Sequence, residues 1–176
     1  MTKPVFINKK IKNFNKKITI SGDKSLSIRW ALIASQATGK SKAYNLLNSE
    51  DIISTIKCLK KLGIKIIIKK KYCEIIGFGL NNFEYKKSLT LNAGNSGTLG
   101  RLILGLLIHY PHKVKLIGDK SLSKRDFSRV INPLKDFGAN FYQSKKSSLP
   151  LYIQGTKYVR PIKYFETRGS AQCKSS

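Results

Sequence analysis

Four short segments of this chain combine cations, hydroxyls and glycines in a way suited to gripping small anions. The first, Gly22-Asp23-Lys24-Ser25-Leu26-Ser27-Ile28-Arg29, reads as a strand-to-helix junction. Backbone N–H groups at a helix start lack intrahelical acceptors and favour negative charge. Lys24 and Arg29 add positive charge and Ser25 a hydroxyl. Together they could hold a carboxylate or phosphate, each charge-assisted hydrogen bond contributing ~1.5–3 kcal/mol. An ordinary capped helix with solvated cations is the alternative reading. The segment is not a P-loop, because the pattern G-x-x-x-x-G-K-[ST] is absent.

The second segment, Leu91 to Arg101, carries Asn95-Ser96-Gly97-Thr98 directly into a helix. Gly97 would let backbone approach a ligand closely. Asn95 and Thr98 could pin the turn, with Arg101 one helical turn inside; a capped tight turn is the plainer alternative. The third, Gly118 to Asp126, repeats the first hexapeptide 96 residues later. Arg125 there could present a planar fork to a carboxylate or phosphate. The fourth, Gly169-Ser170-Ala171-Gln172-Cys173-Lys174-Ser175, offers a hydroxyl and an amide at a helix entrance and says little alone.

Elements of two kinds must position these residues. Leu26, Trp30, Ile33 and Ala37 follow a helical period, and Gly39 would end that helix before a strand at Lys42–Leu46. A second helix is predicted from an N-cap at Ser49. Glu50 and Asp51 sit at its positive end, Ile52, Ile56 and Leu59 form its stripe, and Lys60, Lys61 and Gly63 close it. β-Branched runs at Ile64–Ile68 and Tyr72–Ile76 read as strands around a lysine turn. The same order returns: a strand at Leu89–Leu91, a helix at Thr98–Ile108, a strand at Lys113–Ile117 and a helix around Asp126–Phe137. Strands at Ala139–Gln143 and Leu149–Gln154 complete that pass. Pro133 conflicts with the last helix and predicts a kink or a later start. The phrase Leu59-Lys60-Lys61-Leu62-Gly63-Ile64 matches Leu134-Lys135-Asp136-Phe137-Gly138-Ala139 at an offset of 75 residues. The hexapeptide repeat at 96 is out of phase with it, so the third segment is not read as an equivalent of the first. The chain is thus read as an α/β (α+β) protein of two β-α-β-α-β-β-like units, about 22–88 and 89–158. A third unit opens at Ile162 and is cut off at Ser176, where residues 170–176 start a helix.

Composition narrows the class. With 176 residues and 41 % hydrophobic content, the chain is neither a disordered tail nor a collagen-like repeat. Its longest strongly apolar run, Leu102–Ile108, is far below a bilayer span, and no secretory signal opens the chain. Cys58, Cys73 and Cys173 lack any C-x-x-C pairing and read as reduced cytosolic thiols, which points to the cytoplasm and away from a metal centre. The formal charge of +25 would suit a polyanion. Its lysines are nevertheless scattered end to end, and no aromatic-interleaved RNA motif, zinc-finger spacing or clear helix-turn-helix accompanies them. A nucleic-acid binder therefore rests on charge alone. A solvated surface, or steering of a small phosphorylated substrate, serves as well.

Taken in order, the four segments resemble the 5-enolpyruvylshikimate-3-phosphate synthase family, from about Ile18 to Ser176. Asn95-Ser96-Gly97-Thr98 with Arg101 is the most specific part, then Gly22-Asp23-Lys24-Ser25 with Arg29, then Gly-Asp-x-Ser-Leu-x-x-Arg at 118–125. Ser170-Ala171-Gln172 is similar to the glyphosate-insensitive form. The sibling transferase acting on UDP-N-acetylglucosamine matches less well, since it has Lys-Asn where this chain has Lys24-Ser25.

The resemblance implies a two-domain enzyme with three β-α-β-α-β-β units per domain (an inverse α/β barrel-like arrangement) and a cleft between the domains. Residues 1–21 would begin in or cross from the other domain, and 22–176 would form a substrate-binding domain with its third unit incomplete. The family's chains are more than twice this long. The resemblance therefore implies a portion carrying one wall of the cleft, not complete in catalysis by itself, from an enzyme that is usually monomeric. It further implies that Lys24 touches both phosphoenolpyruvate and shikimate 3-phosphate and that Ser25 and Arg29 bind the latter. Gly97, through its backbone, and Arg125 would bind phosphoenolpyruvate. Ser170, Ala171 and Gln172 would hold the shikimate phosphate, with Gln172 near both substrates. Asn95, Thr98 and Arg101 would shape the loop. No metal or organic cofactor is implied. Two departures stand out: Leu99 replaces a small or polar residue, and Asp126 follows Arg125 where proline is common. None of the nine acids is nominated as the base.

Overall fold

A computed structural model describes residues 4, 6, 8, 10, 13, 15, 17–85, 88–143, 147–165, 169 and 171–176. The first pass along the chain is α1 (Lys24–Gln36), β1 (Thr38–Tyr44), α2 (Glu50–Lys61), β2 (Lys65–Ile68) and β3 (Tyr72–Phe78). The second is β4 (Leu89–Asn92), α3 (Gly97–Leu106), β5 (Val114–Ile117), α4 (Ser128–Asp136), β6 (Asn140–Gln143) and β7 (Leu151–Gln154). A short α5 (Ala171–Ser175) follows.

The second pass is a complete β-α-β-α-β-β unit. Its sheet runs β4-β5-β7-β6, with β4 parallel to β5 and the other pairs antiparallel. Parallel neighbours need a long crossover, which α3 supplies. Leu91, Leu116 and Leu151 align across the sheet, as do Val114 and Ile153, and all five are buried. Lys115 and Tyr152, on the alternate face, lie toward solvent with Lys115 Nζ 5.6 Å from the ring centre.

The first pass differs at its start. Its sheet has three strands in the order β1-β3-β2, all antiparallel, and residues 17–23 form no strand. The expected strand-to-helix junction at Gly22 is therefore a coil-to-helix junction. The difference lies in burial: β4 is anchored by the fully buried Leu91, whereas Ile18 and Ile20 are 68 % and 72 % exposed. The other strand shift concerns β1, which covers Thr38–Tyr44 rather than Lys42–Leu46, because its whole length pairs with β3.

Helix faces follow the sequence with one exception. Ile52, Ile56 and Leu59 of α2 are buried, as are Leu99, Leu102 and Ile103 of α3. In α1, however, the buried side is Ser27, Ile28, Ala31, Leu32, Ala34 and Ser35, while Leu26 and Ile33 are 69 % and 70 % exposed. Two serines hid this face. Ser27 Oγ donates to the Asp23 carbonyl at 2.6 Å and Ser35 Oγ to the Leu32 carbonyl at 2.6 Å, so both hydroxyls enter the core already satisfied.

The 75-residue repeat is a repeated helix stop. Gly63 N–H donates to the Lys60 carbonyl and Ile64 N–H to the Leu59 carbonyl; Gly138 and Ala139 do the same to Lys135 and Leu134. Both are Schellman caps, with φ of +89° at Gly63 and +107° at Gly138. Pro133 stays inside α4, which starts at Ser128, two residues later than expected. The carbonyl of Arg129, an exposed residue, loses its helical N–H partner to that proline.

Candidate functional site

Asp23 caps α1, its Oδ1 accepting from Leu26 N–H at 2.7 Å and its carbonyl from Ser27 N–H at 3.0 Å. Lys24 and Ser25 are thus the first two helical residues, whose N–H groups have no intrahelical acceptor. Lys24 Nζ lies 3.4 Å from Asp51 Oδ2, in the first turn of α2. That ion pair links the amino ends of two helices. Ser49 occupies the N-cap position of α2, but its Oγ is buried without a hydrogen-bond partner, so it makes no cap bond there.

The α3 start is built in the same manner. Fully buried Ser96 accepts from Leu99 N–H at 3.3 Å and leaves Gly97 and Thr98 as the first helical residues. A Cβ on Gly97 would lie 2.8 Å from Arg101 Nη1 and 2.9 Å from Arg125 Nη1, so two guanidinium groups close over this backbone. Arg101 is anchored hard. It donates to the carbonyls of Gly97 at 3.2 Å and Asp126 at 2.9 Å, and its guanidinium stands 4.8 Å from the Phe127 ring centre. Burial, and next the adjoining Arg125 charge, lower its pKa below the usual arginine value.

Arg125 comes from the loop after β5. Asp119 organises that loop, accepting from Leu122 N–H at 2.7 Å and from Asn95 Nδ2 at 2.6 Å. The Leu122 bond, with lesser help from Asn95, holds the Asp119 carboxyl below its ordinary pKa. Asn95 Oδ1 in turn accepts from Arg125 Nη2 at 3.4 Å, so Asn95 ties the α3 entrance to both ends of the neighbouring loop. The repeated hexapeptide has a simple structural meaning. Asp119 caps its turn as Asp23 does, with the same bond to the third residue on and Ser123 N–H donating to its carbonyl. The second copy continues for only three residues of 3₁₀ helix, Leu122–Lys124, and lies between β5 and α4 rather than before α3. Asp126 accepts from Ser128 Oγ at 2.6 Å and N–H at 2.8 Å, bonds that hold its pKa down.

Lys24, Asp51, Asn95, Gly97, Thr98, Arg101 and Arg125 line one cavity of about 200 Å³. Six of these seven were singled out from the sequence. Asp51 was read only as a charge complementing the α2 dipole; nothing in the chain near it signals that its partner is Lys24. Ser25, Arg29 and Ala171 do not line this cavity. Ser170 and the side chain of Gln172 lie outside the described residues. Two larger hollows, of 710 and 650 Å³, lie beside the β2–β3 turn and against α4, and neither is lined by any residue predicted for the site. Among the described residues no group of three His, Cys, Asp or Glu side chains could hold a metal, and no helix is long and apolar enough to cross a membrane.

The site is therefore a small cationic pocket, below the ~300–1,000 Å³ of sites that enclose a whole ligand. Two guanidinium groups, an ammonium and the unpaired amides of a helix start converge on it, a donor set for phosphate or carboxylate. The profile of the family described as EPSP synthase (3-phosphoshikimate 1-carboxyvinyltransferase) matches residues 8–176. This chain belongs to that family. It is 41 % identical over 160 residues to the 3-phosphoshikimate 1-carboxyvinyltransferases of Streptococcus pyogenes serotypes M1 and M2, covering 90 % of this chain and 37 % of theirs. EPSP synthase from Acinetobacter baumannii has the same fold, with a TM-score of 0.84 and 33 % identity over 91 % of this chain and 36 % of that one. The chain thus spans little more than a third of the length of the relatives it matches. Its mixed α/β architecture is part of an enolpyruvyl transferase fold.

Proposed function

We propose that this chain supplies the substrate-binding wall of a 3-phosphoshikimate 1-carboxyvinyltransferase acting in aromatic amino-acid biosynthesis in the cytoplasm. The observation that carries this reading is the convergence of Lys24, Arg101, Arg125 and the Gly97 backbone on one cavity, in a member of this family. In the reaction a hydroxyl of shikimate 3-phosphate adds to C2 of phosphoenolpyruvate while C3 gains a proton. The tetrahedral intermediate then loses a proton from C3 and expels phosphate, which restores the double bond and leaves the enolpyruvyl ether. Both reactants are anions, so fixed cations that orient them and offset developing charge are the contribution expected from this wall.

In this reading Lys24 bridges both substrates, while Gly97 N–H and Arg125 take the phosphate of phosphoenolpyruvate. Ser25 and Arg29 hold shikimate 3-phosphate, and Ser170, Ala171 and Gln172 hold its phosphate. Asn95, Thr98 and Arg101 keep the α3 entrance in shape, a role supported by the bonds of Asn95 to Asp119 and of Arg101 to Asp126. The residues that move protons are assigned to the part of the family's length this chain does not span. A cavity of about 200 Å³ agrees with half a site.

The test is phosphate release from phosphoenolpyruvate plus shikimate 3-phosphate, with and without a polypeptide carrying the remaining family length. The chain alone should be silent and the pair active, and Lys24→Met should abolish the restored activity. Full turnover by the chain alone, or normal turnover of the Lys24→Met pair, would overturn the reading.

A further inference from the structure

One acid stands inside a pocket otherwise built from cations and neutral groups. Asp51 lines the same cavity as Lys24, Arg101 and Arg125, and its side chain is only 18 % exposed, against 55 % for Lys24. Its backbone is fixed at the amino end of α2, where Thr55 Oγ1 donates to the Asp51 carbonyl at 2.8 Å. An acid beside an anion site costs binding by plain Coulomb repulsion. Asp51 should therefore be doing something that repulsion does not describe.

The ammonium of Lys24 supplies that reason. A lysine carries three N–H donors on a flexible four-carbon stem and loses rotamer freedom when it grips a ligand. A carboxylate 3.4 Å away engages one donor of an ammonium whose side chain lines the cavity, and leaves two donors for a ligand. We infer that Asp51 is a positioning residue, which orders the Lys24 ammonium for the phosphate-bearing substrate. This inference rests on the proposed site and adds to it a residue that touches no substrate. It also gives a function to the contact between the starts of α1 and α2, which otherwise bring two positive dipole ends together.

The sign of the effect separates this role from the alternatives. Phosphoenolpyruvate and inorganic phosphate are titrated into the 176-residue chain and followed by calorimetry and amide NMR. If Asp51 positions Lys24, Asp51→Asn should weaken binding roughly two- to fivefold, the range expected for an exposed ion pair. Asp51→Glu should recover most of the loss, and Asp51→Asn should add nothing in a Lys24→Met background. Glu50→Gln, which removes a neighbouring charge from the same helix end, should leave affinity unchanged. Tighter binding by Asp51→Asn would mean that the acid only repels and would overturn the inference. So would an equal loss in the Lys24→Met background or in Glu50→Gln, which would mark a helix-end effect. If Lys24→Met itself binds both probes normally, the cavity reading fails first; if Lys24→Met weakens binding and Asp51→Asn does not, only the positioning role fails.

Discussion

Gly97→Ala should separate binding from stability. A methyl group at Gly97 would lie 2.8 Å from Arg101 Nη1 and 2.9 Å from Arg125 Nη1. Arg125 Nη1 ends an exposed side chain and can move back roughly 0.5 Å to ordinary contact distance, whereas Arg101 Nη1 is held by its bond to the Gly97 carbonyl and yields only by stretching it. The backbone of Gly97 is already helical, and replacing glycine by alanine in a helix is worth up to ~1 kcal/mol in favour of folding. Stability should therefore change by less than ~1 kcal/mol, the helix gain offsetting the disturbed Arg101 bond. The proposed anion site, by contrast, loses the close approach that lets the Arg125 guanidinium and the Gly97 N–H meet one phosphate. Losing one charge-assisted hydrogen bond of ~1.5–3 kcal/mol corresponds to a roughly ten- to hundredfold loss of affinity. Urea denaturation gives the first quantity and calorimetric titration with phosphoenolpyruvate the second. Unchanged affinity would refute the claim that the Gly97 face is where the anion sits. A stability loss above ~1 kcal/mol would refute the claim that the two guanidinium groups yield to the methyl group.

Gly77→Ala should do the reverse, because its Cβ would meet the carbonyl oxygens of Ala37 at 2.2 Å and Ala34 at 2.5 Å. Backbone must move there, at a cost of ~1–3 kcal/mol or more, read as a lower urea midpoint. Ser96→Ala removes the α3 cap bond and should cost ~1 kcal/mol by the same measurement. The Asp126 carboxyl is held below the ordinary aspartate value of 3.8 by its bonds to Ser128. Its contribution is present above the unfolded-state pKa and is lost as pH falls through the lower folded value. Asp126→Asn should therefore flatten the acid limb of the stability profile, and an unchanged limb would contradict the capping role. Cys58, pushed up to about 11 by burial, is roughly one part in a thousand thiolate at pH 8. A thiol reagent should label the partly exposed Cys173 well before Cys58 in the native chain, and equal rates would mean that the α2 face opens freely.

Much of this architecture is legible in the chain itself because its causes are local. The stops at Gly63 and Gly138 follow from the need for a left-handed residue after each helix, and they mark the 75-residue repeat without reference to anything distant. The stripes of α2 and α3 follow from helical period alone. The four candidate segments could be named for a like reason, since their residue types suit helix starts wherever those starts point.

Other features were decided by contacts between residues far apart in the chain. The buried face of α1 could not be read from hydrophobicity, since Ser27 and Ser35 enter the core on bonds to their own helix while Leu26 and Ile33 face outward. The extent of β1 was set by pairing with β3, and the absence of a strand before α1 by the lack of burial for Ile18 and Ile20. Within the site, Arg101, Arg125 and Asn95 could each be named from sequence, yet their convergence over Gly97 depends on the loop after β5 reaching the start of α3. Asp51 was hidden for the same reason: an ion pair to Lys24 across 27 residues leaves no mark in local composition. Local chemistry determined which helix starts could attract an anion. Only the packing of α1, α2 and α3 brought two of those starts, with Asp51 and Arg125, to one cavity, because direction in space is a property of the assembled core.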